Sequence, residues 1–151
     1  KGCAAERGLV IDLGCNIGLY SLMALRNGCN TVCVEPNHKL VGVVTKSILR
    51  NRFNASSVVL QAAAGSHWQE MTLSTEVFAD RDPSIAEVRA AAAGEGSMFA
   101  LPVGDYIQGP VLLLKVDVEW FETQAGLGLN TWLRSFEWRH LTIELKADKA
   151  R

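Results

Sequence analysis

The stretch from Val10 to Gly18, VIDLGCNIG, constrains this chain more than any other. An apolar run, Gly8 to Leu13, stops at a glycine-bearing turn, and Leu19 to Arg26 then takes up a helix-like pattern that closes before Gly28. Strand, tight turn and helix follow without a spacer, and the unit repeats. Thr31 to Val34 is β-branched and apolar, and Glu35-Pro36 ends it. Asn37 is placed to cap a helix whose Leu40, Val41, Val44, Ile48 and Leu49 fall on one face. Ser57 to Ala64 supplies a third buried strand. The first 64 residues therefore read β-α-β-α-β, the pattern of a mostly parallel sheet with helices on both faces.

The middle departs from that rhythm. Glu70 to Thr75 and Met98 to Val103 look like strands that flank Asp80, Asp82, Pro83 and an alanine run, Ala90 to Ala93. Residues 66–104 are expected to form an inserted hairpin with a mobile or partly helical tip. Val111 to Val118 is the most continuous apolar strand in the chain. A helix is expected from about Phe121 to Phe136, interrupted by Gly126 and Gly128, and a last strand from His140 to Leu145.

At 151 residues and 48% hydrophobic content, a single domain spanning 1–151 has ample core material. Its 15 basic and 16 acidic residues give a net charge of −1, which leaves no broad basic face for nucleic acid. No apolar run approaches the ~20 residues that span a bilayer. The chain opens at Lys1 and closes in a charged tail, Lys146 to Arg151, so it reads as a piece of a longer protein. Cys3, Cys15, Cys29 and Cys33 form no C-x-x-C pair, and His38, His67 and His140 are scattered, which argues against a zinc site. Cys15 and Cys33 fall in or beside apolar strand patterns and are expected as buried free thiols. That points toward a reducing compartment such as the cytoplasm.

Ligands of open α/β sheets collect beyond the carboxyl ends of the strands, where the winding order reverses. The first strand ends in Asp12, Leu13, Gly14, Cys15, Asn16, Ile17 and Gly18, and the second in Glu35 and Pro36. The third ends in Gln61, Ala62 and Ala63, the fourth in Asp117 and Glu119, and the fifth in Glu144. Gly14 and Gly18 permit a sharp turn and close ligand approach, and the helix N–H groups beyond favour a negative group by ~0.3–1 kcal/mol. Asp12 wants a cation or a donor instead. A ligand bearing both ammonium and carboxylate suits that mixture. Glu35, roughly 20 residues on, is placed to accept two hydrogen bonds from a ribose diol. Amino acid plus nucleoside describes S-adenosylmethionine. A dinucleotide would need G-x-G-x-x-G, but Asn16 holds the middle glycine position and Leu19 the last.

VIDLGCNIGLYS, VEPN at Val34 to Asn37, QAAAG at Gln61 to Gly65 and LLLKVDVEWFE at Leu112 to Glu122 together resemble the FkbM-type methyltransferases. The resemblance implies a Rossmann-like class I methyltransferase fold, S-adenosylmethionine as cofactor, and methylation of a hydroxyl on a small molecule or sugar. It implies that Asp12, Gly14, Asn16 and Gly18, in the turn that includes Cys15, hold the methionine part. Glu35 beside Pro36 would hold the ribose, and Gln61, Ala62 and Ala63 would lie near adenine. The family's K-x-D-x-E-G signature corresponds to Lys115, Asp117 and Glu119, with Trp120 in place of the glycine. Its histidine after the fifth strand is replaced, since Leu145 and Lys146 follow Glu144. Two closing strands of the class I fold have no counterpart after Leu145, so a truncated sheet is expected.

Methyl transfer from a sulfonium is an in-line displacement, so alignment and water exclusion are the protein's main tasks. Asp117 is the first candidate for positioning or base work, supported by Glu119 and Glu144, and Lys115 is placed to pair with one of these acids. Three carboxylates could instead hold a divalent cation, or Lys115, Asp117 and Glu119 could be an ion-pair network tying strand to helix. Of Trp120, Phe121, Trp132, Phe136 and Trp138, most are expected in the core, with Trp120 a lid or substrate platform. Competing functions are a degenerate cofactor-binding scaffold and a nucleic-acid methyltransferase. The latter lacks a basic stripe and a base-handling N-P-P-[FY] or D-P-P-Y segment.

Overall fold

The computed structural model describes residues 3, 8–74, 87–91, 98–119, 121–135 and 138–144. In chain order the elements are β1 (Leu9–Leu13), α1 (Leu19–Arg26), β2 (Asn30–Glu35), α2 (His38–Arg50), β3 (Ser57–Gln61), β4 (Ala63–Ala64), β5 (Gln69–Ser74), β6 (Glu87–Ala90), β7 (Met98–Leu101), β8 (Val111–Val116), α3 (Glu122–Ser135) and β9 (Trp138–Ile143). Single 3-10 turns lie at Asn54–Ser56 and Val103–Asp105.

β1, β2, β3, β8 and β9 pair parallel in the order β3-β2-β1-β8-β9, the α/β sheet that the sequence pattern predicts. Alternation along the strands feeds two cores. Ile11, Leu13, Val34, Leu114 and Val116 meet Ala125, Leu129 and Trp132 of α3 on one face. Cys33 meets Cys15, Leu25, Val44 and Ile48 on the other, beneath α1 and α2. Removing each such aliphatic side chain from water stabilises the fold by about 1.5–3 kcal/mol. The Asn37 side chain accepts from the Lys39 N–H at 3.0 Å and starts α2. Val44 and Ile48 are buried, whereas Leu49, expected on the same face, is exposed.

The chain leaves the predicted pattern at three places. The third strand breaks at Ala62, and Ala63–Ala64 cross into a second sheet, β4-β7-β5-β6, where they pair parallel with β7. Glu87–Ala90, expected within a mobile or helical tip, is strand β6, paired antiparallel with β5. Its Val88 packs with Leu73 and Phe121 around Ala63, Met71, Met98 and Ala100, an apolar contact that favours a strand there. The remainder of the tip, with Asp80, Asp82 and Pro83, lies outside the described residues, as do Trp120, Phe136 and Leu145. Third, α3 runs unbroken through Gly126 and Gly128. A Cβ at Gly128 would overlap the Gly65 carbonyl, so this glycine lets α3 lie against the turn after β4.

Cys15 and Cys33 are free and buried, but Cys3 and Cys29 are joined in a disulfide. Cysteine usage therefore gives no support to a reducing compartment. Among the described residues no helix is long and apolar enough to cross a membrane.

Candidate functional site

β1 neighbours β2 on one side and β8 on the other, so the winding order reverses between β1 and β8. A crevice opens there, at the place where ligands of open α/β sheets collect. Its wall is built from Gly14 and Asn16 after β1, Val34, Glu35 and Pro36 at the end of β2, and Ala62, Ala63 and Ala64 after β3. Asp117, Val118, Glu119 and Phe121 follow β8, and Val88 comes from β6.

The glycine turn is fixed by backbone bonds. The Gly14 and Cys15 N–H groups donate to the Val34 carbonyl at 2.9 and 3.2 Å, and Gly18 N–H donates to the Cys15 carbonyl at 2.7 Å. Gly14 has φ +72°, and a Cβ there would run into the Asp117 carbonyl. Two crevice residues with side chains also hold left-handed backbone, Asn16 at φ 52° and Glu119 at φ 47°. Such conformations concentrate where surrounding structure enforces them at sites.

Glu35 is 6% exposed, and its two carboxylate oxygens accept from the N–H groups of Asn16 and Asn37, each at 2.9 Å. Burial pushes its pKa up, against the pull of those N–H groups and of the more distant Lys115. A carboxylate offers about four acceptor positions, so two remain for a ligand in the crevice.

Asp12 lies beneath this wall rather than in it. It is 0% exposed, and its Oδ2 accepts from Ser21 Oγ at 2.7 Å and from Ser21 N–H at 3.2 Å, satisfying one free donor in the first turn of α1. Its cation is internal: Lys115 Nζ stands 3.3 Å from Asp12 Oδ1 and 3.3 Å from Asp117 Oδ2, and donates to the Gly14 carbonyl at 2.7 Å. Lys115 is therefore a hub joining the first-strand acid, the glycine turn and the fourth-strand acid. Cys33 donates to Ser21 Oγ at 3.0 Å. The neighbouring Cys33 thiol and burial push the Cys15 thiol pKa well above its ordinary range.

The structure thus brings Gly14, Asn16, Glu35, Pro36, Ala62, Ala63, Asp117 and Glu119 to one crevice. Asp12, Cys15 and Lys115 support it from below, Gly18 caps α1, and Gln61 is exposed outside the wall. Glu144 is exposed one strand away, with its N–H donating to the Val116 carbonyl at 2.9 Å. Sequence reasoning missed Ser21, whose signal was a polar residue on the inward side of α1. It also missed Val88, and it placed Phe121 among core aromatics, whereas Phe121 is half-buried in the crevice wall. Trp132 is buried as expected, but Trp138 is 41% exposed on β9. Among the described residues no group of three or more His, Cys, Asp or Glu is arranged to hold a metal ion.

No protein-family model matches the chain, and no curated protein matches it. Among solved structures it is similar to the methyltransferase FkbM from Methylobacillus flagellatus, with a TM-score of 0.57 and 17% identity. The alignment covers 83% of this chain but 30% of that one, so the chain spans under a third of that protein's length. At this identity the likeness speaks to the fold, which is methyltransferase-like, with a central five-stranded parallel sheet and helices.

Proposed function

We propose that this domain binds S-adenosylmethionine in the crevice at the β1–β8 reversal and methylates a hydroxyl group of a small molecule or sugar. The observation that carries the reading is the meeting of Gly14, Glu35 and Asp117, the ends of three adjacent strands, in one crevice wall. Its charge fits a cationic sulfonium better than a pyrophosphate. Three carboxylates, Glu35, Asp117 and Glu119, line it, with no lysine or arginine among the described lining residues.

Glu35 would hold the ribose hydroxyls with its two remaining acceptor positions, and Pro36, Ala62 and Ala63 would flank the adenine. The Gly14–Asn16 backbone would lie along the amino-acid part. The sulfonium, when bound, supplies an activated methyl group. What remains for the chain is alignment, worth effective molarities of ~10⁵ M or more, and removal of a proton. Asp117, ion-paired with Lys115 at 3.3 Å, would orient the acceptor hydroxyl and take that proton.

Calorimetric titration with S-adenosylmethionine and S-adenosylhomocysteine tests the binding half, and absence of binding by both removes the reading. Methyl transfer to a hydroxylated metabolite extract, compared between the parent and Asp117→Asn, tests the catalytic half. Binding without transfer in the parent would make the domain a cofactor-binding scaffold.

A further inference from the structure

Trp68, Phe99 and Tyr106 come from three segments: the loop before β5, strand β7 and the end of the 3-10 turn after it. They stand together on the surface with 57%, 50% and 58% of their area exposed. The Trp68 ring meets Phe99 edge-on at 6.2 Å between centroids and Tyr106 at 6.1 Å, and its indole N–H donates to the Tyr106 hydroxyl at 2.6 Å. Single exposed aromatics are ordinary, but three joined in one patch mark a binding surface. The patch is fixed from behind. Gly65 N–H donates to the Leu101 carbonyl at 2.9 Å, and Ser66 Oγ donates to Gln124 Oε1 of α3 at 2.7 Å. The chain leading into Trp68 is thereby tied to β7 and α3, so the rings have little freedom left to lose when a ligand settles on them.

This surface is not the crevice. Met98 and Ala100 are buried in the cluster that Phe121 packs against, so Phe99 between them projects from the opposite face of the second sheet. Glu70 stands directly across from Phe99, and Thr72 across from Arg89, on that same outer face. The rings therefore adjoin a carboxylate, a hydroxyl and a guanidinium.

We propose that the outer face of the second sheet is a further binding site, for a neutral saccharide. A pyranose presents a row of C–H groups, apolar and weakly positive, that packs on the negative face of an aromatic ring. Its hydroxyls need partners at the margin of the rings. The Glu70 carboxylate can accept from two neighbouring hydroxyls, and the Tyr106 hydroxyl, which accepts from Trp68, keeps its own proton to donate. A wholly apolar partner would have to strip water from Glu70 and Arg89. A polynucleotide would stack on the rings but needs a basic track for its phosphates, and this chain carries a net charge of −1. The site is independent of the donor reading, since none of its residues lines the crevice.

Cellotetraose, mannotetraose and chitotetraose, titrated into the protein and followed by saturation-transfer NMR, test the proposal. Oligothymidylate and the apolar dye anilinonaphthalene sulfonate stand for the other two classes of occupant. At least one tetrasaccharide is expected to bind, with the strongest transfer to its ring C–H protons. Trp68→Ala and Phe99→Ala are each expected to weaken it about tenfold. Tyr106→Phe, which keeps the ring and removes the hydroxyl, is expected to weaken it about threefold. Ile143→Ala, at an exposed position on the edge strand of the first sheet, is expected to leave it unaltered, as is saturation with S-adenosylhomocysteine. All four side chains are exposed, so the variants are expected to keep the fold, which thermal denaturation checks. Binding of none of the three sugars at about 10 mM overturns the proposal. So does binding that Trp68→Ala leaves unchanged, binding that S-adenosylhomocysteine displaces, or a preference for oligothymidylate or the dye over all three. Failure of S-adenosylhomocysteine itself to bind sinks the donor reading and leaves the saccharide site standing.

Discussion

Lys115 donates to the carbonyl of Gly14 at 2.7 Å, and through that bond a residue of β8 fixes the turn that follows β1. The same ammonium neutralises Asp12, which is 0% exposed and, among the described residues, accepts besides from Ser21 alone. Lys115→Met removes the cation and leaves a buried carboxylate with two hydrogen bonds and no counter-charge. Stability in urea is expected to fall by about 3–5 kcal/mol. A loss under about 1 kcal/mol would show that the pair does not hold the turn.

Glu35 couples pH to stability and to binding with opposite signs. Burial raises its pKa above the ordinary 4.5, so the folded state binds this proton more tightly than the unfolded chain. The resulting cost to stability is present at neutral pH and is lifted as pH falls through the raised value toward 4.5. Donor binding needs the carboxylate as acceptor, so affinity for S-adenosylhomocysteine is expected to fall across that same window. Glu35→Gln presents one acceptor oxygen where Asn16 and Asn37 N–H groups occupy two. It is expected to weaken binding by about ten- to a hundredfold and to flatten the pH dependence, as read by calorimetry from about pH 8 to about pH 5.

Two glycines of α3 separate helix propensity from packing. Gly126 has open space where a Cβ would go, so Gly126→Ala is expected to stabilise the protein by about 0.5–1 kcal/mol. At Gly128 the added methyl meets the Gly65 carbonyl, and Gly128→Ala is expected to destabilise by about 1–3 kcal/mol despite the same gain in propensity. Thermal denaturation of both variants checks the pair. Stabilisation by both would mean that α3 does not lie against the turn after β4.

The β-α-β-α-β half was legible because several local rules agree there. The apolar runs have strand length, Gly14 and Gly18 stand at φ +72° and +83°, and Asn37 caps α2 through its side chain. Glu35 and Asp117 were legible as strand-end acids for the same reason. Asp12 was legible as a residue in need of a cation, but not that its cation is Lys115, since only the parallel pairing of β1 with β8 sets Asp12 beside Lys115. Nor could Val88 or Phe121 be read as crevice wall. Their placement depends on β4 leaving the main sheet and on β6 joining β5, decisions made by tertiary packing over short, alanine-rich segments with weak local preference.

Asp117 and Glu144 differ in a way that activity can resolve. Asp117 is in the crevice wall beside Lys115, whereas Glu144 is exposed at the end of β9. Asp117→Asn is expected to lower the methyl-transfer rate by about 10²–10⁴-fold with donor affinity within about threefold. Glu144→Gln is expected to leave both within about threefold. A rate unchanged in Asp117→Asn removes Asp117 from proton transfer, and a large loss in Glu144→Gln would place the acceptor over β9.

The most direct measurement is a crystal structure of the protein grown with S-adenosylhomocysteine. The expected result is the nucleoside seated between Gly14, Pro36 and Ala63, with a ribose hydroxyl within about 2.6–3.2 Å of a Glu35 oxygen. A crevice without ligand at saturating concentration, or the nucleoside bound elsewhere on the surface, would contradict it.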